Sequence, residues 1–107
     1  MKWQITFYNK KVESAAMALP EGILANLLHI ATLIEDFGPD IGMPYTRTLG
    51  SGLFEIRARG KEGIARAMYC VRARRELIVL NVFIKKSPKA PRRELDIARK
   101  RMKEVLK

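Results

Sequence analysis

The chain has 107 residues, 48% of them hydrophobic, and a formal net charge of +10 at neutral pH. This length fits one domain over residues 1–107, and the apolar content excludes a disordered chain. No apolar run approaches the roughly 20 residues of a membrane span. The N-terminus lacks a signal-peptide pattern, so we expect a cytoplasmic protein with no membrane partner.

The charge is concentrated in the second half of the chain. Residues 57–107 hold 17 Lys and Arg against 5 Asp and Glu, whereas residues 1–56 hold 4 against 6. This asymmetry predicts a basic face, and such faces commonly bind phosphate groups. The alternative is that the cations lie on ordinary solvated faces, and the charge alone leaves both interpretations open.

Soft metal ligands and disulfide partners are scarce in this sequence. Cys70 is the one cysteine and His29 the one histidine. An internal disulfide is therefore excluded, and a transition-metal site would lack ligands. Cys70 lies in an apolar, strand-like run and is interpreted as a packed or half-buried thiol.

In the first half of the chain, aromatic and β-branched residues predict a strand over residues 3–8. Asn9 suits the N-cap of a short helix over residues 10–19. Apolar residues at three- and four-residue spacing predict a longer helix over residues 20–37, so the two helices are expected to form a hairpin on a sheet. Residues 38–52 are rich in Gly and Pro and are expected to form a loop.

The second half predicts three strands, over residues 53–59, 64–72 and 77–85, and a helix that begins near Pro91. The links between the strands are short enough for hairpins, which favours antiparallel pairing. The predicted order is β-α-α-β-β-β-α. This is an α+β domain with an antiparallel-dominated sheet, an N-terminal helical hairpin and a C-terminal helix.

Strand alternation places cations opposite the expected core. Glu55, Arg57 and Arg59 share one side of the first of these strands, and Arg66 and Met68 share one side of the second. The third strand predicts a purely aliphatic core set, namely Ile78, Leu80, Val82 and Ile84.

If the core sets of the three strands bury together, Arg57, Arg66 and Lys85 share the opposite face of the sheet. Phe83 and Met68 are expected on that face as well, where their side chains can pack against bases. Cations around an aromatic ring favour single-stranded RNA over a membrane as the ligand.

The segment between residues 52 and 94 contains a recognisable series. It reads GLFEIR at 52–57, RAMY at 66–69 and FIKKSPKAP at 83–91, followed by Glu94. This series resembles the RelE/HigB superfamily of type II toxins, and in particular its HigB-like, phage-derived branch. The resemblance covers roughly residues 1–104, and the predicted α+β order agrees with the RelE-like fold that it implies.

The resemblance implies the toxin component of a type II toxin–antitoxin system, with messenger RNA and the ribosome as partners. The implied activity is an endoribonuclease that cleaves ribosome-bound mRNA through attack of a ribose 2′-OH on the adjacent phosphate, with no metal or cofactor. The implied protein partner is a cognate antitoxin, commonly a helix-turn-helix protein encoded next door.

The resemblance also implies roles for individual residues. Arg57 and Arg66 match the positions that would hold the scissile phosphate, and Lys85 or Lys86 matches the proton donor or a further clamp. Glu55 is a candidate general base, with an ion pair to Arg57 or Arg59 as the alternative. The implied RNA-binding residues are Arg59, Phe83, Lys89, Arg92 and Arg93.

One departure from the family pattern supports a second interpretation. Some relatives carry a Tyr or His near the C-terminus for stacking or proton transfer, and this chain has neither after Tyr69. The alternative is therefore a catalytically weak or inactive module that binds RNA or an antitoxin. A DNA-binding regulator is a third interpretation, although the sequence shows no evident helix-turn-helix.

Overall fold

A computed structural model describes residues 2–86 and 91–107. The elements, in chain order, are β1 (Gln4–Phe7), α1 (Lys10–Met17), α2 (Glu21–Phe37), β2 (Thr46–Gly50), β3 (Leu53–Gly60), β4 (Gly63–Arg72), β5 (Glu76–Ile84) and α3 (Arg92–Val105). The predicted α+β class is confirmed, with the helical hairpin near the N-terminus and the last helix near the C-terminus. The predicted order lacked one strand, β2.

The five strands form one sheet in the order β1-β5-β4-β3-β2. β1 runs parallel to β5, and the other three pairs of neighbours are antiparallel, which confirms the antiparallel-dominated sheet. β2 corrects the expectation of a loop over residues 38–52. It pairs with β3, and the hydroxyl oxygen of its buried first residue, Thr46, accepts a 2.9 Å hydrogen bond from the Gly42 amide.

The two N-terminal helices form the predicted hairpin with slightly different ends. The Asn9 side chain accepts a 2.9 Å hydrogen bond from the Val12 amide, which confirms it as the N-cap of α1. α2 begins at Glu21 because Pro20 adopts an extended ψ of 147°. Among the described residues no single helix is long and apolar enough to cross a membrane, and α1 and α2 reach that apolar length only together, across a 118° bend.

This helical hairpin covers one face of the sheet and forms the first core. The buried side of α2 packs on four small or branched residues of β3 and β4, namely Ile56, Ala58, Ala65 and Ala67. At the end of β3 the approach is so close that a Cβ on Gly60 would lie 2.6 Å from the carbonyl carbon of Gly22. Glycine is therefore required at position 60 for the helix to meet the strand.

α3 covers part of the opposite face and forms a second core, made of Leu53, Met68, Cys70, Ile78, Leu80, Ala98 and Met102. Two arginines of the helix are fixed to the sheet: Arg101 donates to the Leu80 carbonyl at 2.7 Å, and Arg99 donates to the Leu49 carbonyl at 3.2 Å. Cys70 is buried as predicted, and burial raises the pKa of its thiol. The expectation that Met68 is available to bases is wrong, because Met68 lies beneath α3 with 0% exposure.

A β-bulge in β5 explains a second wrong prediction. Met68 lies opposite Asn81 and Tyr69 lies opposite Val79, so Leu80 has no partner of its own in β4. The extra residue shifts the alternation by one, so each residue after the bulge faces the side opposite to the one that simple alternation predicts. Ile78 and Leu80 therefore belong to the second core, while Val82 packs against the first, and the predicted single aliphatic face does not exist.

Candidate functional site

The predicted cations converge beside the second core, on the sheet face that carries α3. Along β3, Leu53 belongs to that core, and Glu55 and Arg57 follow on the same face. Arg57 lies directly opposite Arg66 of β4, and Arg66 lies opposite Phe83 of β5. The Lys85 amide bonds to the Ile64 carbonyl at 2.8 Å and so fixes the end of β5 beside β4.

A fourth cation, Arg47 of β2, lies opposite Glu55 and was not among the predicted site residues. We refer to Arg47, Arg57, Arg66 and Lys85 as the cationic cluster. Arg47 was missed because β2 was missed. The sequence did contain a signal, because β-branched residues at 46 and 48 are followed by Gly50-Ser51-Gly52, and such a turn sequence before a strand indicates a hairpin. In the structure these three residues form the turn with φ values of 92°, 54° and 86°.

Glu55 lies within the cationic cluster and is completely buried, with 0% exposure. Its Oε1 accepts a 2.8 Å hydrogen bond from Arg47 Nε, and its Oε2 lies 3.8 Å from a terminal nitrogen of Arg66. The expected ion pair thus forms with Arg47 and Arg66 rather than with Arg57 or Arg59.

Two arginines of the cluster keep unused hydrogen-bond donors. Arg66 is 2% exposed, yet its Nε and one terminal nitrogen have no hydrogen-bond partner among the described residues, and the same holds for Arg57 Nε. A guanidinium stays protonated in proteins and binds oxyanions through a planar fork of donors. The pair Arg57–Arg66 therefore brings two guanidinium charges side by side, with buried N–H groups that lack partners among the described residues, and this combination suits an oxyanion.

Like charges within the cluster destabilise one another. The pKa of Arg57 is lowered by burial and then by the charges of Arg59 and Arg47. The pKa of Lys85 is lowered by burial and then by the charges of Arg66, Arg57 and Arg47. A bound anion would relieve this repulsion, so the electrostatics of the cluster favour an anionic ligand over a neutral one.

The remaining residues that the resemblance implies for RNA binding or catalysis lie outside the cationic cluster and differ in their exposure. Phe83 is half-buried and packs against the second core, so its ring is only partly available to a base. Arg59 and Lys86 are exposed at or just beyond the ends of β3 and β5. Arg92 and Arg93 are exposed on the first turn of α3. Lys89 lies outside the described residues.

Comparison with known families gives a match over most of the chain. Residues 16–103 match the model of a family described as phage-derived, Gp49-like proteins. None of the curated proteins matches the sequence significantly. The match includes β2–β5, and with them Glu55 and the whole cationic cluster.

Two solved structures share the fold. The archaeal RelE in the RelE–RelB complex from Pyrococcus horikoshii has 22% identity and a TM-score of 0.59, over 78% of this chain and 96% of that one. A free double arginine-to-alanine mutant of the Escherichia coli toxin RelE has 14% identity and a TM-score of 0.65, over 99% of this chain and 100% of that one. At these identities the two structures show a fold shared with RelE, and the family match bears out the phage-derived branch of the expected resemblance.

Proposed function

Because the chain belongs to the family of phage-derived Gp49-like proteins and has the RelE fold, we propose that it is the toxin of a type II toxin–antitoxin pair. In this proposal it acts in the cytoplasm as a metal-independent endoribonuclease on ribosome-bound mRNA. One observation carries the proposal: Arg57 and Arg66 lie opposite each other on neighbouring strands with unused donors, beside a lysine of lowered pKa.

The proposed reaction is a transesterification within the RNA. The ribose 2′-hydroxyl loses its proton to solvent, and its oxygen forms a bond to the adjacent phosphorus while the bond from phosphorus to the 5′-oxygen breaks. This leaves a cyclic phosphate and a 5′-hydroxyl. Arg57 and Arg66 bind the non-bridging oxygens, on which negative charge grows in the transition state. Lys85 donates a proton to the departing 5′-oxygen, and its lowered pKa makes that transfer easier.

The protein partner proposed for this chain is an antitoxin. The solved archaeal relative is a complex of RelE with RelB, which supports a protein partner for the same fold here. We propose a helix-turn-helix antitoxin encoded next to this chain. Inspection of the adjacent reading frame tests this part of the proposal directly, because a small frame of that type is expected there.

Induction of the protein from a tightly repressed promoter tests the function itself. We expect growth to stop and messages to be cut within their translated regions. Purified protein should cut a synthetic message on programmed ribosomes and leave 5′-hydroxyl ends, which a kinase labels without prior phosphatase treatment. Intact messages in both assays would contradict the proposal.

The lysine of the cluster gives a prediction about pH. Because the pKa of Lys85 is lowered, its ammonium loses its proton at a lower pH than an ordinary lysine, and cleavage should slow as the pH rises through that value. Lys85→Arg keeps the positive charge but transfers protons poorly, so turnover should fall about 100-fold and the slowing at high pH should disappear. Single-turnover rates between pH 6 and 10 measure both effects. Unchanged rates in Lys85→Arg would assign Lys85 to phosphate binding alone.

A second candidate function is a module of the same fold that binds RNA or an antitoxin without cleaving. One observation favours it, since no Tyr or His follows Tyr69 to supply a further acid–base or stacking group. Salt-dependent binding of RNA by the wild-type protein, together with intact message on programmed ribosomes, would support this alternative.

A further inference from the structure

We infer that Glu55 is a positioning residue that holds Arg47 and Arg66 for substrate, and is not the general base of the reaction. This inference rests on the proposed function for the identity of the substrate, a single-stranded RNA phosphate. It depends on three properties of Glu55: its burial, its two arginine contacts and the charge balance around it.

Burial argues against proton abstraction by this carboxylate. A general base must come within hydrogen-bond distance of the proton that it removes. Glu55 is 0% exposed and lies on β3 between Arg47 of β2 and Met68 of β4, which is itself fully buried. A ribose hydroxyl of bound RNA therefore has no open path to either carboxylate oxygen.

The contacts of Glu55 fix two arginines from opposite sides. Arg47 uses Nε for its 2.8 Å bond to Oε1, so both of its terminal nitrogens remain available, and its side chain is 41% exposed. Arg66 lies 3.8 Å from Oε2, which is close enough for ionic attraction but too long for a hydrogen bond. The arrangement therefore restrains both arginines. The terminal nitrogens of the partly exposed Arg47 face no competing carboxylate contact, and two nitrogens of the buried Arg66 have no hydrogen-bond partner among the described residues.

The charge balance gives a reason for a carboxylate at this position. Arg66 is 2% exposed, and an arginine cannot escape the cost of burial by losing its proton. Glu55 is the carboxylate paired with it, and Glu55 also opposes the mutual repulsion that lowers the pKa values of Arg57 and Lys85. A buried negative charge thus allows four cations to be held together before RNA binds.

The decisive variant is Glu55→Gln, which keeps the shape and removes the charge. We expect turnover on programmed ribosomes to fall about 10-fold to 100-fold, as for other small displacements of catalytic groups, with the pH dependence of the wild type. Binding of an oligonucleotide with a 2′-deoxyribose at the cleavage position should weaken as well. Loss of the acidic limb of the pH profile with unchanged binding would instead identify Glu55 as the base, and wild-type behaviour in both assays would also overturn the inference.

Arg47→Ala provides a second route, because Arg47 is partly exposed and the change leaves Glu55 in place with Arg66 at 3.8 Å. If Glu55 acts partly through Arg47, the double variant Arg47→Ala/Glu55→Gln should lose less than the two single losses combined, whereas independent roles should combine in full. The matched control is Glu76→Gln. Glu76 accepts from Arg72 Nε at the same 2.8 Å but lies at the first residue of β5, and this change should leave cleavage and binding unaltered.

The two arms of the experiment separate the inference from the proposed function. If the wild type binds the 2′-deoxy oligonucleotide but cuts no message, the proposed nuclease is refuted, and weaker binding by Glu55→Gln and Arg47→Ala still supports the positioning role. If the wild type neither binds nor cuts, both are refuted. If Glu55→Gln does not fold, Arg47→Ala decides: weaker binding with an unshifted pH profile supports the inference, and wild-type binding contradicts it.

Discussion

Replacement of Arg57 by alanine is expected to lower the turnover of message cleavage by about 10²-fold to 10³-fold and to leave the fold intact. Arg57 is half-buried, makes no ion pair within 4.0 Å among the described residues, and has an Nε without a hydrogen-bond partner there. Its pKa is lowered by burial and then by neighbouring cations, so its removal relieves some repulsion in the free protein. The loss should therefore appear in catalysis rather than in stability.

Single-turnover cleavage on programmed ribosomes, together with urea unfolding, measures both quantities for Arg57→Ala. Arg72→Ala is the matched control. Arg72 is another arginine of the sheet, at the end of β4, and its side chain is 46% exposed in a pair with Glu76. Toxicity and cleavage should survive in Arg72→Ala. Wild-type cleavage by Arg57→Ala would remove Arg57 from the site.

Arg66→Ala is expected to destabilise the protein by about 3 kcal/mol, at the low end of the range for a broken buried ion pair. The change leaves Glu55 buried with Arg47 as its remaining partner and leaves a void beneath Phe83, which lies opposite position 66. Urea unfolding at neutral pH measures this effect. The exposed Arg72–Glu76 pair should contribute far less stability, so a similar loss in Arg72→Ala and Arg66→Ala would contradict the prediction.

Arg66→Lys separates the structural role of this residue from the phosphate-binding role proposed for it. Lysine restores a positive charge opposite Glu55 but has no planar fork for a phosphate. We expect most of the lost stability to return while cleavage remains at least 10-fold below the wild-type rate. Full cleavage by Arg66→Lys would show that charge alone is enough at this position.

The sequence predicted those elements whose apolar residues lie along one side or whose capping residue is clear. α2 has a clear apolar stripe, and Asn9 is a good N-cap, so the helical hairpin was predicted within a few residues. β2 was missed because its five residues follow a Gly- and Pro-rich stretch that carries no period of its own. Pairing with β3, a tertiary effect, makes it a strand.

The faces of the sheet were harder to predict than its strands. A strand that is buried on both sides shows no alternation, and residues 77–80 are all buried. The bulge at Leu80 then reverses the pattern within β5, which no count of alternate residues can show. Arg57, Arg66 and Lys85 share one face of the sheet as expected, because all three lie beyond the bulge or on strands without one. Their roles in binding and catalysis stay predictions.

The sequence also did not predict how deeply residues of the site are buried. Arg66 and Glu55 were expected on an open basic face, and both are almost completely inaccessible. The partner that explains this, Arg47, lies on the strand that was missed. Alternation along the strands therefore predicted every cation of the cluster except Arg47. It did not predict the ion pairs of Glu55, because these depend on β2 forming the edge of the sheet.

The parallel pairing of β1 with β5 has a consequence for synthesis of the protein. Gln4 pairs with Glu76, which lies 72 positions later in the chain, so β1 cannot pair until most of the chain has been made. The second core likewise requires α3 from the last residues of the chain. Contacts of such long sequence separation form late. A fragment that ends before β5 is complete would thus lack both the complete five-stranded sheet and Lys85 of the cationic cluster. Premature termination of synthesis should therefore yield a chain without activity rather than a partly active one.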